Sequence, residues 1–248
     1  MDEMKVLTLR VFGDFAHFRK FYTTSSPLTF SFPPPPTIRG MIGAVMGFRK
    51  EKYLEKTKEL WIGVKIDKPV RKFRMGLNII FTKGSSGKFD PTLIPARKGD
   101  INKTIRTQIK AEFIKEPSYT IYLSSENGIL NELYALIKEH MTHYTLSLGL
   151  SELLADFKLV GYYGAERLDF SDVVNSVVPL EKLKELDLER ISKLGKDRIP
   201  VYMDTDRKVL KYEDVVFSMD GSTIYGKLSG LHRLENGEVI HLWEPMKD

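Results

Sequence analysis

The side chains able to do chemistry in this chain are histidines, tyrosines and a surplus of cations. Cysteine is absent, which excludes thiolate zinc sites, cysteine nucleophiles and disulfide frameworks. His17, Lys20 and Tyr22 lie close together in sequence. Such groups can serve as base and acid in metal-independent phosphodiester cleavage, although their spacing does not single them out. His140 and His143 lack the HExxH arrangement of a helical zinc site. His232 and His241 flank Asn236-Gly237, and a two-residue type I′ turn there would set the two rings opposite each other. No third ligand accompanies them, so neither a metal nor any other cofactor is assigned.

Cations are more informative. Lys and Arg total 38 against 33 Asp and Glu, for a net charge of +5, which favours a polyanionic partner without requiring one. Arg97, Lys98, Lys103, Arg106, Lys110 and Lys115 meet few acids. They suit contact with a nucleic-acid backbone; the alternative is a solvated charged loop. His17, Arg19 and Lys20 add positive potential early in the chain. Arg39 and Gly40 open a helix directly after Pro33–Pro36, where free N–H groups and the helix dipole suit a phosphate. Alternatively, the glycines permit tight packing and Arg39 pairs with an acid; both readings stay open. Phe15, Phe18, Phe21, Tyr22, Tyr119, Tyr122, Tyr162 and Tyr163 are interspersed with these charges. Some are suited to stacking on bases, and most read as core.

The elements that must position these groups follow from periodicity. Lys5–Phe12 alternates as a half-buried strand. Thr37 is the expected N-cap of the next helix, and Gly40, Gly43 and Gly47 along one side of it call for a close-approaching backbone. A second helix is expected over 50–60, then strands at Val64–Ile66 and Phe73–Thr82. Ile105–Ile114 and Tyr119–Leu123 read as hairpin arms around Glu116-Pro117. Leu130, Leu133, Tyr134, Leu136, Ile137 and Met141 mark an amphipathic helix, and Asp156–Tyr163 a strand. The order predicts an α+β fold, with a ferredoxin-like (RRM-like) βαββαβ domain over 1–170 and a thumb-like insertion at about 84–124. Beyond 171 a small β-rich C-terminal domain (171–248) is expected, with a charged helix over Leu180–Leu194. No segment approaches the roughly 18 apolar residues of a membrane span, and a soluble, cytoplasmic protein without membrane contact is expected.

The run Phe12-Gly13-Asp14-Phe15-Ala16-His17-Phe18-Arg19, then Phe30–Pro36 and Thr37-Ile38-Arg39-Gly40-Met41-Ile42-Gly43-Ala44, resembles the fifth CRISPR-associated (Cas) protein family, a subunit of type I Cascade complexes. The likeness is densest over residues 5–48 and continues through Ser147–Glu152. It implies a ferredoxin-like domain with a β-hairpin thumb, binding of the 5′ handle of CRISPR RNA and capping of the backbone filament made by the seventh Cas family. It further implies contact with the large subunit of the eighth family and, through the complex, with target DNA in antiviral defence. Arg39, Gly40 and the basic hairpin would then lie near RNA or a neighbouring subunit. One branch of the family cuts precursor RNA with Tyr, Lys and His, the last two adjacent in sequence. No adjacent Lys-His pair occurs here, so a non-catalytic member, closest to archaeal type I-A or I-B forms, is expected; the alternative is a metal-independent endoribonuclease.

Overall fold

A computed structural model describes residues 4–24, 26–80 and 106–245. The main elements are β1 (Met4–Gly13), α1 (Pro35–Met46), β2 (Trp61–Ile66), β3 (Arg71–Ile80), β4 (Arg106–Lys115), β5 (Ser118–Ser124), α2 (Ile129–Lys138) and β6 (Ala155–Val174). They continue with β7 (Leu183–Leu186), β8 (Leu194–Met203), β9 (Val209–Ser218), β10 (Ile224–Leu234) and β11 (Val239–Ile240). The molecule is therefore mostly β-sheet with few helices. β6, β1, β5 and β2 lie side by side in that order, every neighbouring pair antiparallel. All seven residues of β5 are buried, as the inner strand of a covered sheet requires. Leu7, Leu9 and Val11 of β1 pack with Ile38, Ile42 and Val45 of α1 and Leu130, Leu133 and Ile137 of α2 in one core.

α1 begins inside the proline run, two residues before the expected cap Thr37. Pro34 is its N-cap, with no side-chain hydrogen bond, and Pro35 and Pro36 occupy the first turn, where their fixed φ suits a helix. The three glycines also differ from expectation. A Cβ on Gly43 would come within 2.7 Å of the Tyr53 side chain, so an aromatic ring, not a backbone, fills that groove. Gly47, with φ of 74°, ends the helix in the left-handed conformation. Beyond it, His143 and Tyr144 donate their N–H groups to the Val45 and Ala44 carbonyls at 3.1 and 3.0 Å. The helix expected over 50–60 shrinks to one turn, Tyr53–Lys56.

Between β2 and β5 the chain leaves the main sheet as a two-stranded ribbon. β3 and β4 pair in register from Arg71↔Lys115 to Ile80↔Arg106, with Phe15–Ala16 added at the base. The hairpin expected between 105–114 and 119–123 is not formed, because β4 pairs with β3 while β5 enters the main sheet between β1 and β2. Glu116, at φ of 51°, turns the chain from one sheet to the other. Alternation marks a strand but does not name its partner.

Residue 171, where the composition changes, falls within β6, which continues past it to pair with β10. Val177, Ile199, Val201, Val215 and Phe217 belong to the same core cluster as β1 and α1. The expected helix over Leu180–Leu194 is replaced by a 3-10 turn, the strand β7 and a second 3-10 turn at Leu188–Arg190. Pairing of β7 along β10 buries Leu183 and Leu186 against the cluster around Leu228 and overrides helical propensity. β11 pairs with β10, and Trp243 exchanges two backbone hydrogen bonds with Ile62 of β2, at 3.0 and 2.8 Å. The C-terminal tail thus reaches from β10 to the far end of the sheet and curls it.

Candidate nucleic-acid interface

The ribbon separates its residues by face, since successive side chains of a strand point to opposite sides. Arg71, Phe73, Met75, Leu77 and Ile79 share one face with Lys115, Phe113, Ala111 and Ile109. At its base Phe73 packs between Phe15 and Phe113, with ring centroids 5.5 and 5.9 Å away. The other face carries Lys72, Arg74 and Asn78 opposite Ile114, Glu112 and Gln108, with Lys110 across from Gly76. Glu112 lies 3.5 Å from Lys72 and 3.9 Å from Arg74. Glu116 lies 3.6 Å from Arg71 and 4.0 Å from Lys115. Five basic residues of the two strands, Arg71, Lys72, Arg74, Lys110 and Lys115, stand beside these two acids, so a net positive field remains along the ribbon. Lys72 also donates to the Thr29 carbonyl at 2.8 Å, and its burial lowers its pKa despite nearby Glu112.

The candidate residues divide accordingly. Lys110 is exposed on the polar face. Arg106 begins β4 and pairs by its backbone with Ile80. Arg97, Lys98 and Lys103 lie outside the described residues. Arg71, Lys72 and Arg74, on the partner strand, were missed in sequence, although the alternation of RKFRMGLNII across 71–80 carries their signal.

Arg39 is committed inside the fold. It is 5 % exposed, and its guanidinium donates to the carbonyls of Thr57 and Leu60, the latter at 3.1 Å. Burial lowers its pKa to about 10, so it stays charged at neutral pH. The N-terminus of α1 offers little to an anion either. Pro35 and Pro36 have no N–H, and those of Thr37 and Ile38 already bond to the Pro34 carbonyl at 2.9 and 3.1 Å. Of the two readings left open for Arg39 and Gly40, these bonds favour packing over a phosphate. Gly40 instead lines the groove beside Tyr53.

His17 and Lys20 are likewise engaged. His17 is buried, and its Nδ1 lies 2.7 Å from the Glu112 carbonyl, which makes it the donor there. Lys20 reaches across to Asp197 at 2.5 Å; burial disfavours its charge, but the bonds to Asp197 and Tyr22 outweigh that and raise its pKa. Arg19 is exposed and donates to the Thr23 carbonyl at 3.0 Å.

The C-terminal histidines do not form the expected opposed pair. Gly237, at φ of 87°, is the only turn residue with positive φ, and its N–H bonds to the Leu234 carbonyl at 2.8 Å. The loop therefore has three residues, not two, and the register shifts so that His232 stands opposite Ile240. Among the described residues no group of three or more His, Asp or Glu side chains is arranged to hold a metal, nor is any helix long and apolar enough to cross a membrane.

Comparison with known proteins agrees with this architecture. The family model described as "CRISPR-associated protein (Cas_Cas5)" matches residues 6–217. A chain of a solved "CRISPR RNA-guided surveillance complex" is 14% identical, with TM-score 0.54 over 90% of this chain and 91% of that one. A CRISPR protein from Archaeoglobus fulgidus is 16% identical, with TM-score 0.54 over 97% and 98% of the two chains. No curated protein sequence matches. Identities this low speak to fold alone, but the family model spans most of the chain, from the first strand of the main sheet to the end of the β8–β9 ribbon: this protein belongs to the Cas5 family of CRISPR-associated proteins.

Proposed function

We propose that the chain is a non-catalytic, RNA-holding subunit of a type I CRISPR effector complex, which grips the 5′ handle of CRISPR RNA and caps the filament of the seventh Cas family. On this reading it also contacts the eighth-family large subunit and meets target DNA only through the complex. The observation that carries the proposal is the β3–β4 ribbon, whose polar face holds Lys72, Arg74 and Lys110 in register. The ribbon leaves the sheet between β2 and β5. A ferredoxin-like description of β1, α1, β2, β5, α2 and β6 is supported by their βαββαβ order and the spatial order β6-β1-β5-β2. The ribbon then stands as a thumb inserted between the second and third strands of that core.

The non-catalytic part of the proposal is supported by the internal bonds of His17 and Lys20, which occupy the groups a cleavage mechanism would need. The test is retention of a CRISPR RNA handle against a scrambled RNA of equal length. The wild-type chain retains the handle selectively, and joint replacement of Arg74 and Lys110 by alanine weakens retention at least tenfold. Equal retention of both RNAs by the wild type defeats the handle assignment. Incubation with precursor RNA in chelator leaves it intact; cleavage lost in His17→Ala makes the chain a nuclease instead.

A further inference from the structure

A second surface, remote in sequence from the ribbon, combines exposed rings with unpaired cations. Phe21 and Tyr22 sit in the loop that joins the short paired strands Phe18–Arg19 and Thr29–Phe30. They remain 50 % and 55 % exposed, and exposed apolar side chains that adjoin one another, unlike scattered single ones, mark a surface that a partner can use. Their placement is not loose. Lys20, the preceding residue, ties the loop to Asp197 of β8. Its N–H bonds to the Leu28 carbonyl at 2.8 Å, and Thr23 Oγ1 donates to the Lys20 carbonyl at 2.8 Å.

The rings form a continuous set. Phe21 meets Tyr22 edge-on at 5.0 Å and Tyr212 of β9 at 4.5 Å. The Arg198 guanidinium lies 5.7 Å from the Tyr212 ring. Neither Arg198 nor Arg19 has a carboxylate within 4.0 Å among the described residues; Arg19 bonds a backbone carbonyl instead. The surface therefore offers π-faces beside uncompensated positive charge. A polyanion with exposed rings, which is a single-stranded nucleic acid, matches both properties. An apolar protein segment would match only the rings and would leave the guanidinium charges without partners.

From this we propose that Phe21, Tyr22 and Tyr212, flanked by Arg19 and Arg198, form a stacking platform for one or two unpaired bases of a single-stranded RNA. The inference rests on the RNA-holding reading and gives the β8–β9 ribbon a part in it. A guanidinium on the platform meets the phosphate that joins the stacked bases, while ring stacking tolerates any base. Specificity for sequence then has to come from elsewhere.

The experiment uses the full chain and a short single-stranded RNA, about eight nucleotides, within the usual site size. 2-Aminopurine is placed at one position at a time. In the wild type its fluorescence is quenched at one or two positions. Quenching at those positions disappears in Tyr22→Leu and Phe21→Leu, and affinity falls roughly 5- to 150-fold, the range for one lost stack. Thermal melts report whether the variants remain folded. An abasic nucleotide at the quenched position needs no variant: it weakens the wild type by the same factor and Tyr22→Leu no further. Wild-type binding without quenching at any position, or quenching unchanged in both variants, overturns the platform and leaves the ribbon reading intact. Failure of the wild type to retain the RNA at all overturns both.

Discussion

At the scale of single residues, the most consequential atom pairs are those that commit a cation internally. Arg39 is the clearest case, because its charge is satisfied by two carbonyls contributed 18 and 21 residues later. Replacement by Met would leave both carbonyls without that donor, a loss of roughly 1–3 kcal/mol for a buried unsatisfied group. We expect thermal unfolding of Arg39→Met to shift down by several degrees, with RNA affinity unchanged within twofold at a temperature where it is folded. A large affinity loss in a fully folded variant would return Arg39 to the RNA surface. Gly149 supplies a second test. Its φ is 106°, and a Cβ there would lie 1.9 Å from the His17 carbonyl oxygen. Gly149→Ala therefore combines backbone strain, of order 1–3 kcal/mol, with a collision against fixed backbone. A melting temperature equal to wild type would show that the two segments part easily.

At the scale of elements, the ribbon has a measurable electrostatic signature. Each cation that touches a phosphate of a single strand contributes about 0.7 to the slope of log affinity against log salt. Removal of Arg74 and Lys110 together should lower that slope by roughly 1 to 1.5, whereas Tyr22→Leu, which removes a ring, should leave it unchanged. If both variants changed the slope equally, the ribbon would have no special claim on the phosphates. The same element shows what was legible in the sequence. Alternation at Lys5–Phe12 and the apolar spacing of 130–137 identified β1 and α2, because Leu7, Leu9 and Val11 of one and Leu130, Leu133 and Ile137 of the other bury a regular face in the same core. The partner of 106–115 was not legible: β3 and β5 both alternate, and only the entry of β5 into the main sheet decides between them. The short-range turn signal at Asn236-Gly237 was correctly located but misread by one residue. Gly237 alone takes positive φ, and that single residue moved His232 from His241 to Ile240. The internal ties of Arg39, His17 and Lys20 were hidden for a different reason. Two of them end on backbone carbonyls, which every residue has, and the third on an aspartate 177 positions away.

At the scale of the whole molecule, closure of the sheet depends on a tail that carries acid-sensitive groups. Glu238 accepts from Lys65 at 2.5 Å and from Tyr122 at 3.1 Å. Burial opposes its charge, but these bonds and one from Asn236 prevail and hold its pKa below the ordinary value of 4.5. It therefore stabilises the fold above about pH 4.5, and that contribution is lost as pH falls through its folded pKa. His241 acts in the same direction by a different route. Burial, aided by Lys182 and His232, lowers its pKa to about 3, and neither ring nitrogen has a hydrogen-bond partner in the fold. In the unfolded chain it binds a proton below about pH 6.5, so the unfolded state gains from acid while the folded state does not. Stability must then decline as pH drops from 6.5 toward 3, by roughly 3–5 °C of melting temperature per pH unit for this group alone. His232 is also lowered, chiefly by burial and then by Arg167, and steepens the same limb. His241→Phe keeps an aromatic ring beside Trp243, which the imidazole meets edge-on at 5.0 Å, and removes the titration. Melting profiles of wild type and variant, measured from pH 7 to pH 4, should converge near neutrality and separate progressively in acid, with the variant the more stable. Parallel profiles across that range would mean that the tail opens before His241 protonates, and that the sheet is held curled by its other strands.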